Sequence, residues 1–596
     1  MSHERSSRRG ARKVFMSVSG AGAFFCAFTF LSGSDFVAKS MAHARENLSV
    51  ATPFEVGSSL SGNYLAAIVA GSSRDTLAAS TFFREALRDD PRNRELIERS
   101  FVAALANGNA PEAFALAKRV LAHDRNNGLA HLTRGVEAIK DHQFAEARKA
   151  LAIGGLDRQH DITSTLLTAW TYAGAKNTRL ALATVDRLKD DAFAVFRDYH
   201  AALIADLGGD KAEAEKRFKA AYGGERNTLR LVDANARFLA SHGDRDGAKR
   251  LYKAFDEVAP NHPVIAAALA DLDAGKPLTP FIRNVEDGAG EVLYGLGAAG
   301  GRQGDELASL IYLRLSLALA PNNALATITL GDVYERMKQE TTAIDLYDSV
   351  SEDSPLRVNA DVQAALLLET IGKNQEAEKH LHSVVAANPK NQEALTALGN
   401  LQRSRKLFAE SVSTYTRVLD LQQKPDKSQW LLYYYRGIAN ERRKNWPPAE
   451  ADLKKALELY PDQPLVLNYL GYSWVDQGLN LDEAFKMLRR AVDLRGRDGY
   501  VVDSLGWAYY RLGRYDEAVK ELEKAIELKP SDPVINDHLG DSYWRTGRKL
   551  EAQFQWNHAR DLNPDPDDLP KILEKIKNGL SDTPSVAGDK YKNRGG

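Results

Sequence analysis

A period of 34 residues limits what this chain can fold into more than any other feature. In the stretch VVDSLGWAYYRLGRYDEAVKELEKAIELKPSDP the landmarks are Leu505 and Gly506, Tyr509, Gly513, Ala518, Leu522, Ala525 and Pro530. Leu539 and Gly540, Tyr543, Gly547, Ala552, Trp556, Ala559 and Pro564 follow, each 34 residues later. A fixed period of this length means a string of small units, each with an apolar face that only the next unit can cover.

The order of these landmarks resembles the tetratricopeptide repeat, whose W-x2-L-G-x2-Y, A-x3-F, A and P positions describe one helix, a tight turn and a second helix. The resemblance implies an all-α superhelical solenoid. With the Gly of the Leu-Gly pair as position 8, the register runs back through Gly471, Gly437, Gly399, Ala365, Gly331 and Gly297, giving eight units over residues 290–566. Position 20 is Ser309, Ala343, Ala377, Ser411, Ala449, Ala484, Ala518 and Ala552, small because the two helices of a unit cross most closely there. Position 32 is proline in six of the eight, where a missing N–H ends the second helix.

The N-terminal half repeats the pattern more faintly. Ala79, Ala113, Ala147, Ala181, Ala214 and Ala248 hold position 20, and Gly108, Gly209 and Gly243 hold the turn, where a left-handed backbone costs glycine least. Six units over 60–262 and a lone helix to residue 273 follow, for about 14 units in two subarrays, 60–273 and 290–566. Between them, Pro277 and Pro280 break the helical pattern, so 274–289 is expected to be an elbow that Phe281, Ile282 and Val285 could order by packing. Residues 567–580 place Leu569, Ile572, Leu573, Ile576 and Leu580 on one stripe, with Asp567 or Asp568 as N-cap and Gly579 as terminator. This is the capping helix an array needs at its end. Residues 581–596 are expected to be a disordered tail.

Arg5, Arg8, Arg9, Arg12 and Lys13 precede an uncharged run from Val14 to Ser34, and Ala42-His43-Ala44 offers a small-residue cleavage site. This pattern predicts a signal peptide over 1–44, then a linker over 45–59. An uncleaved membrane anchor of the same orientation is the alternative. Either places the bulk of the chain outside the cytoplasm, in or facing the periplasm. With 79 Lys and Arg against 80 Asp and Glu, no net cationic charge draws in a polyanion, so nucleic acid is not an expected partner. The single cysteine, Cys26, excludes a disulfide framework, a Cys-clustered zinc site and a CxxC pair within the chain.

Outside the repeats no stretch is long enough for a catalytic domain, and HExxH, P-loop and GxSxG motifs are absent from the sequence. Gly295-Leu296-Gly297-Ala298-Ala299-Gly300 has the form GxGxxG, but it falls inside a first helix and follows no strand, so a phosphate-cradling turn is not expected. His380 and His382 stand two apart on one helix and point apart, as solvated surface residues. Asp565, Asp567 and Asp568 read as helix-start acids. No catalytic residue, cofactor or metal is expected.

Trp446, Trp474 and Trp556 fall on packing positions of the repeat. In solenoids of this family the inner surface is lined by positions 2, 5, 9, 12 and 13 of the first helix. These positions supply a candidate partner-binding set: Tyr434, Arg442, Asn468, Tyr472, Asp503, Trp507, Tyr510, Arg511, Asp537, Asp541, Trp544 and Arg545. Aromatic faces flanked by Arg and Asp can bury an extended peptide or stack on sugar rings. The expectation is a non-enzymatic exported scaffold that binds protein partners in envelope assembly. The alternative is a glycan-handling factor in polysaccharide assembly or export. A membrane enters only if the N-terminal segment stays uncleaved.

Overall fold

The computed structural model describes residue 57 and residues 59–154, 162–421 and 427–581. The expected signal segment and almost all of the expected tail lie outside the described residues. Those residues form thirty α-helices and two short 3-10 turns, with no strand among them. Among the described residues, no helix is long and apolar enough to cross a membrane.

Local chemistry sets where the helices start and stop. Asn93, Asn109 and Asn127 open successive helices, each Oδ1 accepting the backbone N–H three residues on at 3.2, 3.4 and 3.0 Å. The two helices of a unit then pack tightly at the small positions. Ala113, Ala147, Ala181, Ala343, Ala449, Ala518 and Ala552 are all fully buried. Where serine replaces alanine, its hydroxyl donates to the backbone of the facing helix, Ser309 to Gly297 O at 2.7 Å and Ser411 to Gly399 O at 3.0 Å. The glycine at position 8 lets a large side chain cross: a Cβ on Gly506 would lie 2.7 Å from Leu522.

The chain divides into two compact units, with the boundary between His380 and Leu381, inside the helix Asn374–Ala387. The sequence pattern breaks earlier, at 274–289, because it registers prolines and a lost repeat rather than tertiary packing. In the first unit, consecutive helix pairs run from Leu60 to Asp256 and the helix Pro263–Asp273 follows alone. The segment after it is ordered by contacts: Phe281 and Ile282 pack against the core, Val285 is buried, and Arg237 Nη1 donates to Thr279 O at 3.0 Å.

The next two helices, Val285–Gln303 and Glu306–Leu319, do more than extend the stack. The first packs against Ile162–Gly174 and Ala194–Leu207, and the second against Arg94–Asn107 and Gly128–Lys140, so they join a core shared with helices far earlier in the chain. The glycine-rich composition of the first makes this possible. A Cβ on Gly288 would run into the Trp170 ring, and one on Gly295 would lie 2.9 Å from Phe196. A buried polar cluster fixes the register: Arg230 Nε donates to Glu291 Oε1 at 3.0 Å, Arg230 Nη2 donates to Oε2, and the Tyr199 hydroxyl donates to Oε1 at 2.9 Å. The Tyr334 hydroxyl donates to Ala106 O at 3.0 Å and adds a second tie.

In the second unit the helix pairs Trp430–Arg442 with Trp446–Leu459, Pro464–Gln477 with Leu481–Arg495, Gly499–Arg511 with Tyr515–Leu528 and Pro533–Arg545 with Lys549–Asp561 share one core. The helix Leu569–Asn578 closes it, with Ile572 buried and Gly579 ending it at φ +70°. Trp556 is fully buried and Trp474 nearly so, its Nε1 donating to Glu450 Oε1 at 3.0 Å.

Candidate functional site

The expected binding set lies on four successive first helices of the second unit, which the 34-residue register brings side by side. The structure sorts it into three groups. Tyr434, Asp503, Tyr510 and Asp541 are buried between adjacent helices and offer no surface. Tyr434 packs edge-on to Tyr469 at 5.9 Å, and burial holds its hydroxyl above the ordinary tyrosine range. Asp503 pairs with His538 Nδ1 at 2.9 Å. Burial opposes the imidazolium there, but the Asp503 charge outweighs it and raises the His538 pKa.

A second group is occupied by the capping helix. Lys575 Nζ donates to Asp537 at 2.7 Å and to Asp541 at 2.9 Å, and a Cβ on Gly579 would run into the Trp544 ring. Trp556 Nε1 also donates to Asp541 Oδ1 at 2.9 Å. Burial pushes the Asp541 carboxyl up to about 6, against the pull of Lys575, while neighbouring Asp537 adds to the rise. Arg545 lies beside this group, its Nε 3.5 Å from the Tyr510 hydroxyl.

The third group stays open. Arg442 has 60% of its side chain exposed, and Asn468, Tyr472, Trp507 and Arg511 are half-buried. The Asn468 carbonyl oxygen is buried without a hydrogen-bond partner. Tyr472 lies within the fields of Asp503, Asp476, Arg511 and Arg442, and its hydroxyl is raised chiefly by burial. Trp507 stacks on His538 at 4.0 Å and on Tyr510 at 4.6 Å, almost parallel to both, so one edge of a three-ring stack reaches the surface. Arg511 donates to Asp476 through Nη1 at 3.2 Å, a contact that keeps its guanidinium beside Tyr472. The sequence reading missed His538, Lys575 and Asp476. His538 could have been found from its place 35 residues after Asp503, and Lys575 from its position one turn past Ile572 on the capping stripe.

The open residues are hydrogen-bonding and stacking groups. The GxGxxG run lies within the helix Val285–Gln303, where its glycines serve packing. One cluster in the first unit has metal-ligating atoms, Asp348, Asp361 and His380, all within 4.8 Å of one another. His380 is therefore not a solvated surface residue. Its Nε2 lies 3.5 Å from Asp361, whose field raises its pKa, and Arg357 Nε already donates to Asp361 at 3.1 Å. Arg357 Nη2 also lies 2.7 Å from Asp361 Oδ1, so one of the two carboxylates is already paired with a guanidinium.

Family models match two stretches of the chain, a TPR repeat at residues 506–547 and a tetratricopeptide repeat at 362–428. Both matches are tetratricopeptide repeats, so these two stretches of the chain are similar to that repeat. A TPR repeat-containing protein of Pseudomonas aeruginosa is 26% identical over 197 residues, 32% of this chain and 31% of that protein, so the match spans about a third of the relative's length. Similar solved structures include the Cut9–Hcn1 hetero-tetramer of the APC/C, at 14% identity, TM-score 0.37, covering 92% of this chain and 99% of that one. Yeast Tom70 is another, at 11% identity, TM-score 0.29, covering 87% and 95%. Tetratricopeptide-repeat proteins are typically non-catalytic scaffolds for protein-protein interaction.

Proposed function

We propose that the chain is a non-enzymatic, exported scaffold that holds a protein partner in the cell envelope against the open face formed by Arg442, Asn468, Tyr472, Trp507 and Arg511. The observation that carries this reading is the state of those five residues. They follow one another across three adjacent helices, combine aromatic and guanidinium groups that dominate binding hot spots, and include a buried carbonyl oxygen at Asn468 left without a partner. An extended peptide would lay its side chains between Tyr472 and Trp507.

Export rests on the basic start, apolar run and Ala42-His43-Ala44 triplet. Cleavage there leaves Arg45 as the first residue, which N-terminal sequencing of the protein recovered from the envelope tests. An intact Met1 in the membrane fraction means an anchor instead. Binding is tested by capturing partners from envelope extract with the full chain and identifying them, with Tyr472→Ala as the comparison. Loss of a specific protein at unchanged helical content supports the reading.

A further inference from the structure

In the second unit, each corner between the two helices of a pair needs one residue with a left-handed backbone. Three of the corners use glycine there, Gly478, Gly513 and Gly547, and the other two use Lys406 and Lys444, at φ +62° and +60°. A side chain in that conformation costs strain that glycine avoids. A cation at the corner does complement the carboxyl end of the helix before it, and Arg74, His142, Lys176 and Lys338 hold the same conformation in the first unit. That role asks for one cation. Lys406 and Lys444 instead end runs of them, Arg403, Arg405 and Lys406 at one corner and Arg442, Arg443 and Lys444 at the next.

The two runs are neighbours. The repeat register puts Lys406 and Lys444 at the same position of adjacent units, and Arg403 lies over the Tyr435 ring of the next unit at 4.3 Å. Lys406, Arg442, Arg443 and Lys444 are exposed, and among the described residues no carboxylate pairs with Lys406, Arg443 or Lys444. The stretches 403–410 and 441–446 hold six cations against Glu410 and Glu441. Glu441 already accepts from the Tyr469 hydroxyl at 2.9 Å and lies 3.6 Å from Arg442 Nε. At the glycine corners the arginines are taken up within the chain: Arg511 by Asp476, Arg514 by Glu517, and Arg548 by Glu523 and Glu551.

Unpaired cations gathered on one edge fit an anionic partner. The excess ends at the next corner, where residues 476–483 carry three acids and no cation. It is therefore a strip two units wide that finishes at Arg442, where the open face begins. A strip of that width suits a length of chain, whereas a membrane surface would meet the charge-balanced corners as well. We propose that these two corners bind a run of Asp and Glu side chains in the protein partner, a reading that rests on the open face and names the chemistry of what it holds.

Fluorescence anisotropy on the full chain, with labelled oligoglutamate and oligoglutamine peptides of equal length, tests it. Oligoglutamate should bind and oligoglutamine should not, and the affinity should fall about tenfold between about 50 and 200 mM salt. Lys406→Glu with Arg443→Glu and Lys444→Glu should weaken binding by about a hundredfold at unchanged helical content. Lys406→Gly with Lys444→Gly removes two charges and the strain together, so binding should weaken by about tenfold while the melting temperature rises. Cations that serve only the helix ends would give no loss of binding. Tyr472→Ala stands off the corners and should leave oligoglutamate affinity unchanged. Loss of the envelope partner in Tyr472→Ala without oligoglutamate binding by the full chain keeps the open face and overturns the acidic segment. Oligoglutamate binding with a partner indifferent to Tyr472→Ala supports the corners and removes the open face. Equal binding of both peptides, corner variants that bind as the full chain does, or binding of phosphatidylglycerol vesicles without oligoglutamate also overturns the proposal.

Discussion

The buried pair between Arg230 and Glu291 tests whether the helix Val285–Gln303 is locked against the earlier repeats. Glu291 is 3% exposed and its carboxylate accepts from the Arg230 guanidinium and from the Tyr199 hydroxyl. Arg230 also lies over the Phe281 ring at 4.2 Å, so its charge links the elbow segment to the same cluster. Arg230→Met leaves a buried carboxylate with one neutral donor, which costs about 3–5 kcal/mol. Arg230→Met with Glu291→Met removes both charges and should be neutral or stabilising by about 1–4 kcal/mol. A urea-unfolding double-mutant cycle followed by circular dichroism reads both values. The acid dependence gives an independent sign. Burial works against the charged form of Glu291, but Arg230 outweighs it and holds the carboxyl below its ordinary range. A depressed carboxyl contributes stability above its unfolded value, about 4.3, and loses it as pH falls through the lower folded value. In Arg230→Met burial prevails, the pKa rises, and acidification should relieve the destabilisation. Single substitutions costing less than about 1 kcal/mol would refute the packing described here.

Three further outcomes follow from the repeat geometry. Ala518→Leu, at a fully buried crossing, should cost about 1–3 kcal/mol, whereas Lys520→Leu on the exposed side of the same helix should stay within about 0.5 kcal/mol by the same unfolding assay. Lys444 holds a turn at φ +60°, so Lys444→Gly should raise the melting transition by relieving about 0.5–1 kcal/mol of strain. Asp541 titrates at about 6 in the fold, above its unfolded value, so the fold binds the extra proton. Its contribution should be fully present below the unfolded value and fall as pH rises to about 6, a slope that Asp541→Asn abolishes in a pH series of melting temperatures.

Much of the fold was legible because the repeat encodes nearest-neighbour packing directly. The small residues at position 20 are buried as the register requires, the lone helix Pro263–Asp273 follows the sixth pair, and the capping stripe of Leu569, Ile572 and Ile576 forms a helix. What the period does not encode is contact between distant repeats. Gly288 and Gly295 stand where Trp170 and Phe196 press against a helix, but in sequence they read only as a glycine-rich run with a discounted phosphate motif. Glu291 in sequence is an ordinary charged residue near a helix start. The candidate site was half legible for a similar reason. Helix periodicity placed Asp503 and Trp507 on one face, yet whether a face is open depends on what the next repeat sets against it. His538 takes up Asp503, and the capping helix, through Lys575, takes up Asp537 and Asp541.

The central claim, that a protein partner is held on the open face of the second unit, is most directly tested with one double variant. Tyr472→Ala with Arg442→Ala removes a half-buried aromatic anchor that packs against the core and a mostly exposed guanidinium. The partner captured from envelope extract by the full chain should bind this variant about a thousandfold more weakly, given about 2 kcal/mol for each lost anchor, at unchanged helical content. A variant that keeps both its fold and its partner's affinity contradicts the claim.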